Sequence, residues 1–80
     1  MIKLLYFAAL VDMLGSASEM LPAPLPSNVR ALVALLKQRG GAWKTVFGQR
    51  SVRITVNKQF AELDTPLKDG DEVAFISAWV

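Results

Sequence analysis

The sequence predicts a single α+β domain, a roll in which one main helix packs on one face of a mixed β-sheet. Three observations support this prediction. One segment has the apolar spacing of an amphipathic helix, several others resemble short strands, and the first and last of these strands are the most apolar. The first and last strands are therefore candidates for the sheet centre. If they are neighbours there, they would run parallel and be joined by a long crossover that contains the helix.

The first third of the chain predicts two strands and a loop. Residues 2–10 are rich in apolar and aromatic side chains, as in a buried strand. Residues 8–14 can close as a short helical turn that Gly15 stops. Residues 16–21 predict a second strand, paired with the first. Three prolines within residues 22–28 remove ladder donors and predict a loop.

The main helix is the clearest element. Ser27 is its predicted N-cap, and Gly40 and Gly41 are predicted to end it. Its apolar stripe falls at positions i, i+3, i+4 and i+7 and consists of Val29, Leu32, Val33 and Leu36.

The second half of the chain predicts strands joined by polar turns. Residues 50–56 alternate, with Val52, Ile54 and Val56 on one side, as in a half-buried strand. The remaining predictions are turns at residues 57–58, 64–66 and 68–70, a short returning segment at 60–63 and a last strand at 72–76.

The composition excludes several classes of function. The 80 residues contain no Cys and no His, so thiol catalysis, zinc-thiolate sites and the commonest general base are absent. The net charge is only +2 and the nine basic residues are scattered, which argues against nucleic-acid binding. No apolar stretch reaches the roughly 20 residues of a membrane span. The first 18 residues imitate a secretory signal, but Asp12 interrupts their apolar run. We therefore expect a cytoplasmic protein with no catalytic side chain, no metal site and no bound cofactor.

Three stretches carry a resemblance to a known family. They are MIKLLYFAALVDMLG at the start, RITVNKQF in the middle and LDTPLKDGDEVAF near the end, of which the last is the most specific. Together they resemble the ubiquitin-like sulfur carriers, whose fold is the β-grasp, and most closely the small subunit of molybdopterin synthase. The resemblance covers nearly the whole chain.

The resemblance implies chemistry at the C-terminus rather than at a side chain. Carriers of this family end in Gly-Gly on a flexible tail, and a ubiquitin-activating-like enzyme adenylates the terminal carboxylate with ATP. Sulfur then replaces oxygen to give a thiocarboxylate, which the large subunit of the synthase uses on a pterin precursor. The implied role is therefore a non-catalytic sulfur-carrier subunit of a sulfurtransferase complex in molybdenum cofactor biosynthesis.

The last residues depart from this pattern. We predict a domain over residues 1–76 and a tail of Ser77, Ala78, Trp79 and Val80, where the family has Pro-Pro, two variable residues and Gly-Gly. Two missing residues correspond to about 7 Å of extended chain. Either the sequence lacks the final Gly-Gly of a working carrier, or it is a degenerate paralogue that binds partners without carrying sulfur. Trp79 is then either an anchor in a partner groove or a disordered or back-folded end.

Two sets of side chains are candidates for binding. Phe7, Phe60 and Ile76 match positions at which the family presents apolar side chains to its partners, although each could also be a core residue. The second set is a group of acidic residues, Glu62, Asp64, Asp69, Asp71 and Glu72. These carboxylates could bind a metal or a basic partner, but acidic residues in turns predict a solvated region instead.

Other functions remain open at this level. One is a stand-alone β-grasp interaction module with no role in cofactor synthesis. Another is a small RNA-binding domain, which only the sequence pI of about 9.3 favours. The sequence also does not separate carriers of molybdopterin synthesis from those of thiamin synthesis or tRNA thiolation.

Overall fold

The computed structural model describes residues 1–48 and 52–77, which form five strands and three helices. In chain order these are β1 (Ile2–Phe7), α1 (Ala9–Leu14), β2 (Ser18–Leu21), α2 (Val29–Lys37), α3 (Gly41–Phe47), β3 (Val52–Val56), β4 (Gln59–Phe60) and β5 (Glu72–Ser77).

The strands form one mixed sheet in the order β2-β1-β5-β3-β4. β1 and β5 pair in parallel at its centre, and the other neighbours are antiparallel. The two candidates for the sheet centre are thus neighbours there, and they run parallel as expected for that case. The physical reason is burial, because central strands remove the most apolar surface from solvent. Ile2, Leu4, Val73 and Phe75 are all fully buried.

The main helix begins one residue later than predicted and ends earlier. Asn28, not Ser27, is the N-cap: its backbone is extended and its Oδ1 accepts a hydrogen bond of 2.9 Å from the Ala31 N–H. The helix ends at Lys37, with Gln38 as its C-cap, before the predicted Gly40–Gly41 stop. Its predicted stripe does face the core, with Val33 partly buried and the other three residues fully buried.

Of the three helices, α2 is the predicted main helix and α1 corresponds to the short helical turn predicted over residues 8–14. Gly15, in the left-handed conformation, ends α1 as predicted. The first strand stops at Phe7 rather than continuing to residue 10, because Ala9 and Leu10 belong to α1. The sequence reasoning missed α3, which begins at the glycine pair. α3 has only seven residues, so its stability comes from packing and not from propensity. Within residues 1–48 and 52–77, no helix has the length and apolarity needed to cross a membrane.

The second half of the sheet follows the predicted turns. Asn57 and Lys58 both have positive φ, 52° and 70°, which is the signature of a tight type I′ hairpin turn. β3 is described from Val52, and the predicted residues 50 and 51 lie outside the described part of the chain. The returning segment is shorter than predicted, because β4 contains only Gln59 and Phe60. β5 includes Ser77, so the sheet extends one residue into the predicted tail.

Candidate protein-interaction site

One face of the sheet points away from the helices. Along β1, Ile2, Leu4 and Tyr6 are buried in the core with residues of α2 and α3, so the alternate residues lie on the opposite side. The strand register carries this division across the sheet. We call that opposite side of the sheet the open face, and its central residues are Leu5, Phe7, Arg53, Thr55, Phe60, Ala74 and Ile76.

These residues form two rows across the strands. In one row, Phe7 pairs with Ile76, which pairs with Arg53. In the other, Leu5, Ala74, Thr55 and Phe60 follow one another from β1 to β4. Cross-strand partners have Cβ atoms about 5 Å apart, so each row is a continuous strip of side chains.

The three predicted partner-binding residues all lie on the open face. Phe7 is 45% exposed and Phe60 is 74% exposed, whereas Ile76 is partly buried. Phe7 and Ile76 are direct neighbours, and Phe60 lies at the outer edge of the second row. Two exposed phenylalanines on one side of a small sheet are not explained by the core, and exposed apolar surface of this kind is typical of binding sites.

Leu5, Arg53, Thr55 and Ala74 belong to the same surface but were not predicted as site residues. The signal was present in the period-2 alternation of β1 and β5, which assigns alternate residues to opposite faces. The sequence did not reveal which of the two faces the helices cover.

The predicted tail starts beside the Phe7–Ile76 pair. Ser77 is the last residue of β5 and is buried, and its hydroxyl has no hydrogen-bond partner among the described residues. The other predicted tail residues, Ala78, Trp79 and Val80, lie outside the described residues. Because Ile76 immediately precedes Ser77, a protein that covers the Phe7–Ile76 pair would also lie next to Ser77.

A buried carboxylate connects the turn before β5 to the turn after β3. Asp71 accepts a hydrogen bond of 2.9 Å from the Lys68 N–H and another of 3.1 Å from Asn57 Nδ2. Asn57 in turn accepts one of 3.0 Å from the Glu72 N–H. The Lys68 N–H, and then the Asn57 amide, hold the pKa of Asp71 below its usual value, because both stabilise the charged form. These bonds set where β5 begins, and therefore the position of Ile76.

The helix side of β1 carries a polar cluster that the sequence reasoning missed. Tyr6 Oη donates a hydrogen bond of 2.7 Å to Glu19, and Arg39 binds both Glu19 oxygens at 2.7 and 2.9 Å. The Arg39 guanidinium lies 4.4 Å from the centre of the Trp43 ring. The Arg39 hydrogen bonds lower the pKa of Glu19, and burial raises the pKa of Tyr6. This cluster attaches β2 and α3 to the strand that presents Phe7.

The acidic residues named from the sequence do not converge on one site. Asp64 forms an ion pair of 2.8 Å with Arg30, Asp69 pairs with the amino group of Met1, and Asp71 is engaged as described above. Within the described ranges, no group of three acidic side chains is arranged to hold a metal ion.

Comparisons with known proteins agree with this architecture. The sequence profile of the ThiS family matches residues 4–79. The molybdopterin synthase sulfur carrier subunit of Escherichia coli (strain K12) is 33% identical over 75 residues, which are 94% of this chain and 91% of that protein.

Solved structures agree as well. A Pyrococcus furiosus protein assigned as molybdopterin converting factor subunit 1 has a TM-score of 0.77 and 28% identity, over 95% of this chain and 94% of that chain. A protein–protein complex of subunits 1 and 2 of the molybdopterin-converting factor from Helicobacter pylori gives a TM-score of 0.69 at 23% identity, over 95% of this chain and 90% of the matched one. The fold is therefore the ubiquitin-like β-grasp, as the resemblance implied. Because the family profile and the E. coli relative both span nearly the whole sequence, this chain belongs to the ThiS family.

Proposed function

We propose that this protein is a sulfur carrier of the molybdopterin synthase small-subunit type, which acts through its C-terminal tail while bound to a large subunit. The observation that carries the proposal is the position of exposed Phe7 and its partly buried neighbour Ile76 directly beside Ser77. A carrier needs a docking surface and a tail that can enter its partner, and here the Phe7–Ile76 pair adjoins Ser77, the first residue of the predicted tail. The full-length similarity to the E. coli sulfur carrier subunit supports the same role.

The proposed chemistry uses backbone atoms only. The terminal carboxylate attacks the α-phosphate of ATP on an adenylating enzyme, which releases pyrophosphate and leaves an acyl-adenylate. A sulfur donor at the sulfide level then displaces AMP and forms a C–S bond. The thiocarboxylate sulfur then attacks an electrophilic carbon of the pterin precursor and displaces an oxygen leaving group, and water hydrolyses the resulting thioester, which leaves the sulfur on the pterin and returns the carboxylate. No step requires a side-chain nucleophile or base, which suits a sequence without Cys or His.

We propose that the large subunit covers the open face around Phe7 and Ile76, in the cytoplasm. The H. pylori structure contains a complex of subunits 1 and 2, and the same kind of assembly would bury the exposed phenylalanines here. The adenylating enzyme would use an overlapping part of this face, because it must receive the same tail.

The docking surface is tested by titrating the large subunit against single variants. Phe7→Ala is expected to weaken binding about tenfold, since a truncated apolar anchor typically costs 1–2 kcal/mol. Leu35→Ala is the matched control, because Leu35 is also exposed but lies on α2. Equal binding by both variants would contradict the proposed surface.

The sulfur-carrier role has a separate test. We would measure the intact mass of the protein from its own cells and sequence its C-terminal peptide. A chain extended by Gly-Gly, with or without oxygen-to-sulfur exchange, would support the carrier role. A chain that ends at Val80 would contradict sulfur transfer and leave a β-grasp binding protein.

A further inference from the structure

A second surface lies along the edge of β3 that faces away from β5, and it borders the open face at Arg53 and Phe60. It is a groove of about 710 Å³ between α2 and the outer edge of β3. One wall is a stripe of α2 from Arg30 to Lys37, at positions i, i+3, i+4 and i+7. The opposite wall is β3 with the chain that follows β4, and Val33 and Phe47 contribute apolar surface.

The groove runs along an incomplete β-ladder. β4 pairs only with Thr55 and Val56, and the next hydrogen bond on that side is from the Ala61 N–H to the Ile54 carbonyl at 3.0 Å. Alternate residues of a strand direct their backbone groups to the same side. The backbone N–H and C=O of Val52 therefore point in the same direction as the Ile54 carbonyl, which is away from β5 and toward the groove. Strand edges of this kind accept additional strands.

The rim of the groove is predominantly basic. Arg30, Lys37 and Arg53 line it, and Glu62 is the one acidic residue among the described residues that do so. Arg30 is paired with Asp64, whereas Lys37 and Arg53 form no ion pair within residues 1–48 and 52–77. A ligand with carboxylates would complement these two cations, and apolar side chains would complement the floor.

We infer that this groove binds an extended segment of a partner protein in which acidic residues alternate with apolar ones. The segment adds to β3 as a further strand through the backbone of Val52. Its apolar side chains pack against Val33 and Phe47, and its carboxylates meet Lys37 and Arg53. The site requires neither the tail nor the Phe7–Ile76 pair, although it shares Arg53 and Phe60 with the open face.

The test is selection from a random peptide library displayed on phage, with the full chain as bait. The expected binders alternate Asp or Glu with Val, Ile or Leu. A selected peptide should bind the double variant Lys37→Gln/Arg53→Gln about tenfold more weakly, because two surface ion pairs contribute up to about 1 kcal/mol each. The matched control is Lys58→Gln/Lys68→Gln, which makes the same change in net charge and should bind as the unmodified chain does.

Amide shifts in a ¹⁵N NMR titration with the selected peptide locate the site directly. Shifts centred on Val52, Ile54 and Ala61 would support the inference. Selected peptides without acidic residues would overturn it, as would equal binding by the two double variants. Loss of binding in Phe7→Ala, with Lys37→Gln/Arg53→Gln unaffected, would also overturn it, because the peptide would then occupy the open face.

Discussion

At the scale of single residues, Ala8 and Asp71 occupy positions with unusual local requirements. Ala8 lies between β1 and α1 with φ 57° and ψ −136°, a region that residues with a Cβ rarely adopt. Asp71 is a buried carboxylate that serves two donors at once. Both residues lie next to strands of the open face: Ala8 follows Phe7, and Asp71 immediately precedes β5, which carries Ile76.

Replacement of Ala8 by glycine is expected to stabilise the protein by about 1 kcal/mol. Relief of backbone strain is worth about 1–3 kcal/mol, and the greater unfolded-state freedom of glycine offsets about 0.5–1 kcal/mol of it. The free energy of unfolding in urea measures the difference. The neighbouring change Ala9→Gly is the control, and it should destabilise, because Ala9 is helical. If Ala8→Gly destabilises as much as Ala9→Gly, Ala8 is not strained.

Removal of the Asp71 carboxylate by Asp71→Ala is expected to cost about 3 kcal/mol at neutral pH. The change leaves the Lys68 N–H and the Asn57 amide without their buried acceptor, and hydrogen bonds to charged groups contribute about 1.5–3 kcal/mol each. Asp64→Ala is the control, since its exposed pair with Arg30 should contribute less than about 0.5 kcal/mol. Equal losses from the two variants would contradict this account.

Asp71 should also make stability depend on pH. Its pKa is lower in the folded state than in the unfolded chain, so the unfolded state binds more protons in acid. The stabilisation is therefore complete above the unfolded value of about 4 and is lost as the pH falls through the folded value. Urea unfolding between pH 6 and about 3 should show a shallower decline for Asp71→Asn than for the unmodified protein. Identical slopes would exclude Asp71 as a source of the decline.

At the scale of elements, α3 depends on its contacts with the sheet. Its aromatic residues pack in sequence, with Trp43 stacked on Phe47 at 6.1 Å and Phe47 edge-on to Phe75 at 5.0 Å. Arg39, just before the helix, is fixed between Glu19 and the Trp43 ring. A seven-residue helix that begins with glycine would not persist without these contacts.

A double-mutant cycle on Glu19→Gln and Arg39→Gln should give a coupling energy of about 1 kcal/mol. The pair is bidentate and only 28% and 33% exposed, respectively, so solvent screens it incompletely. The control cycle uses Asp64 and Arg30, whose side chains are 84% and 60% exposed. That pair should couple by less than about 0.5 kcal/mol. Coupling that is no larger for Glu19 and Arg39 than for the control would mean that the cluster does not anchor α3.

At the scale of the whole molecule, the parallel β1–β5 pair organises the fold. β5 has a partner strand on each side, whereas β4 contains two residues at the sheet edge. Helices cover one side of the sheet, which leaves the other for a partner. The carrier site and the basic groove thus adjoin each other on the same sheet and share Arg53 and Phe60.

Hydrogen exchange should follow this arrangement. The amides of β1 and β5 are expected to exchange through global unfolding, and those of β4 through local opening. NMR-detected exchange in deuterated buffer measures both rates for each residue. A β4 protected as strongly as β5 would contradict the central role of the parallel pair.

Local patterns accounted for most of the elements. Three features depend only on residues that are close together in the sequence, so the sequence predicts them directly. They are the apolar stripe of α2, the alternation of β3 and the Asn57–Lys58 turn. The apolar character of the first and last strands made both of them candidates for the sheet centre, and the structure shows that they are neighbours there. Exact boundaries were less predictable, because Ser27 and Asn28 are both good N-caps and only the fold selects Asn28.

The sequence by itself thus determined the fold class, the candidates for the central strands and the absence of thiol and imidazole chemistry. Only the tertiary structure decided that Phe7, Phe60 and Ile76 share an open face, that α3 forms, and that Asp71 is a buried acceptor. The reason is physical: these features depend on contacts between residues far apart in the chain, such as Glu19 with Arg39. Short-range periodicity carries no information about such contacts.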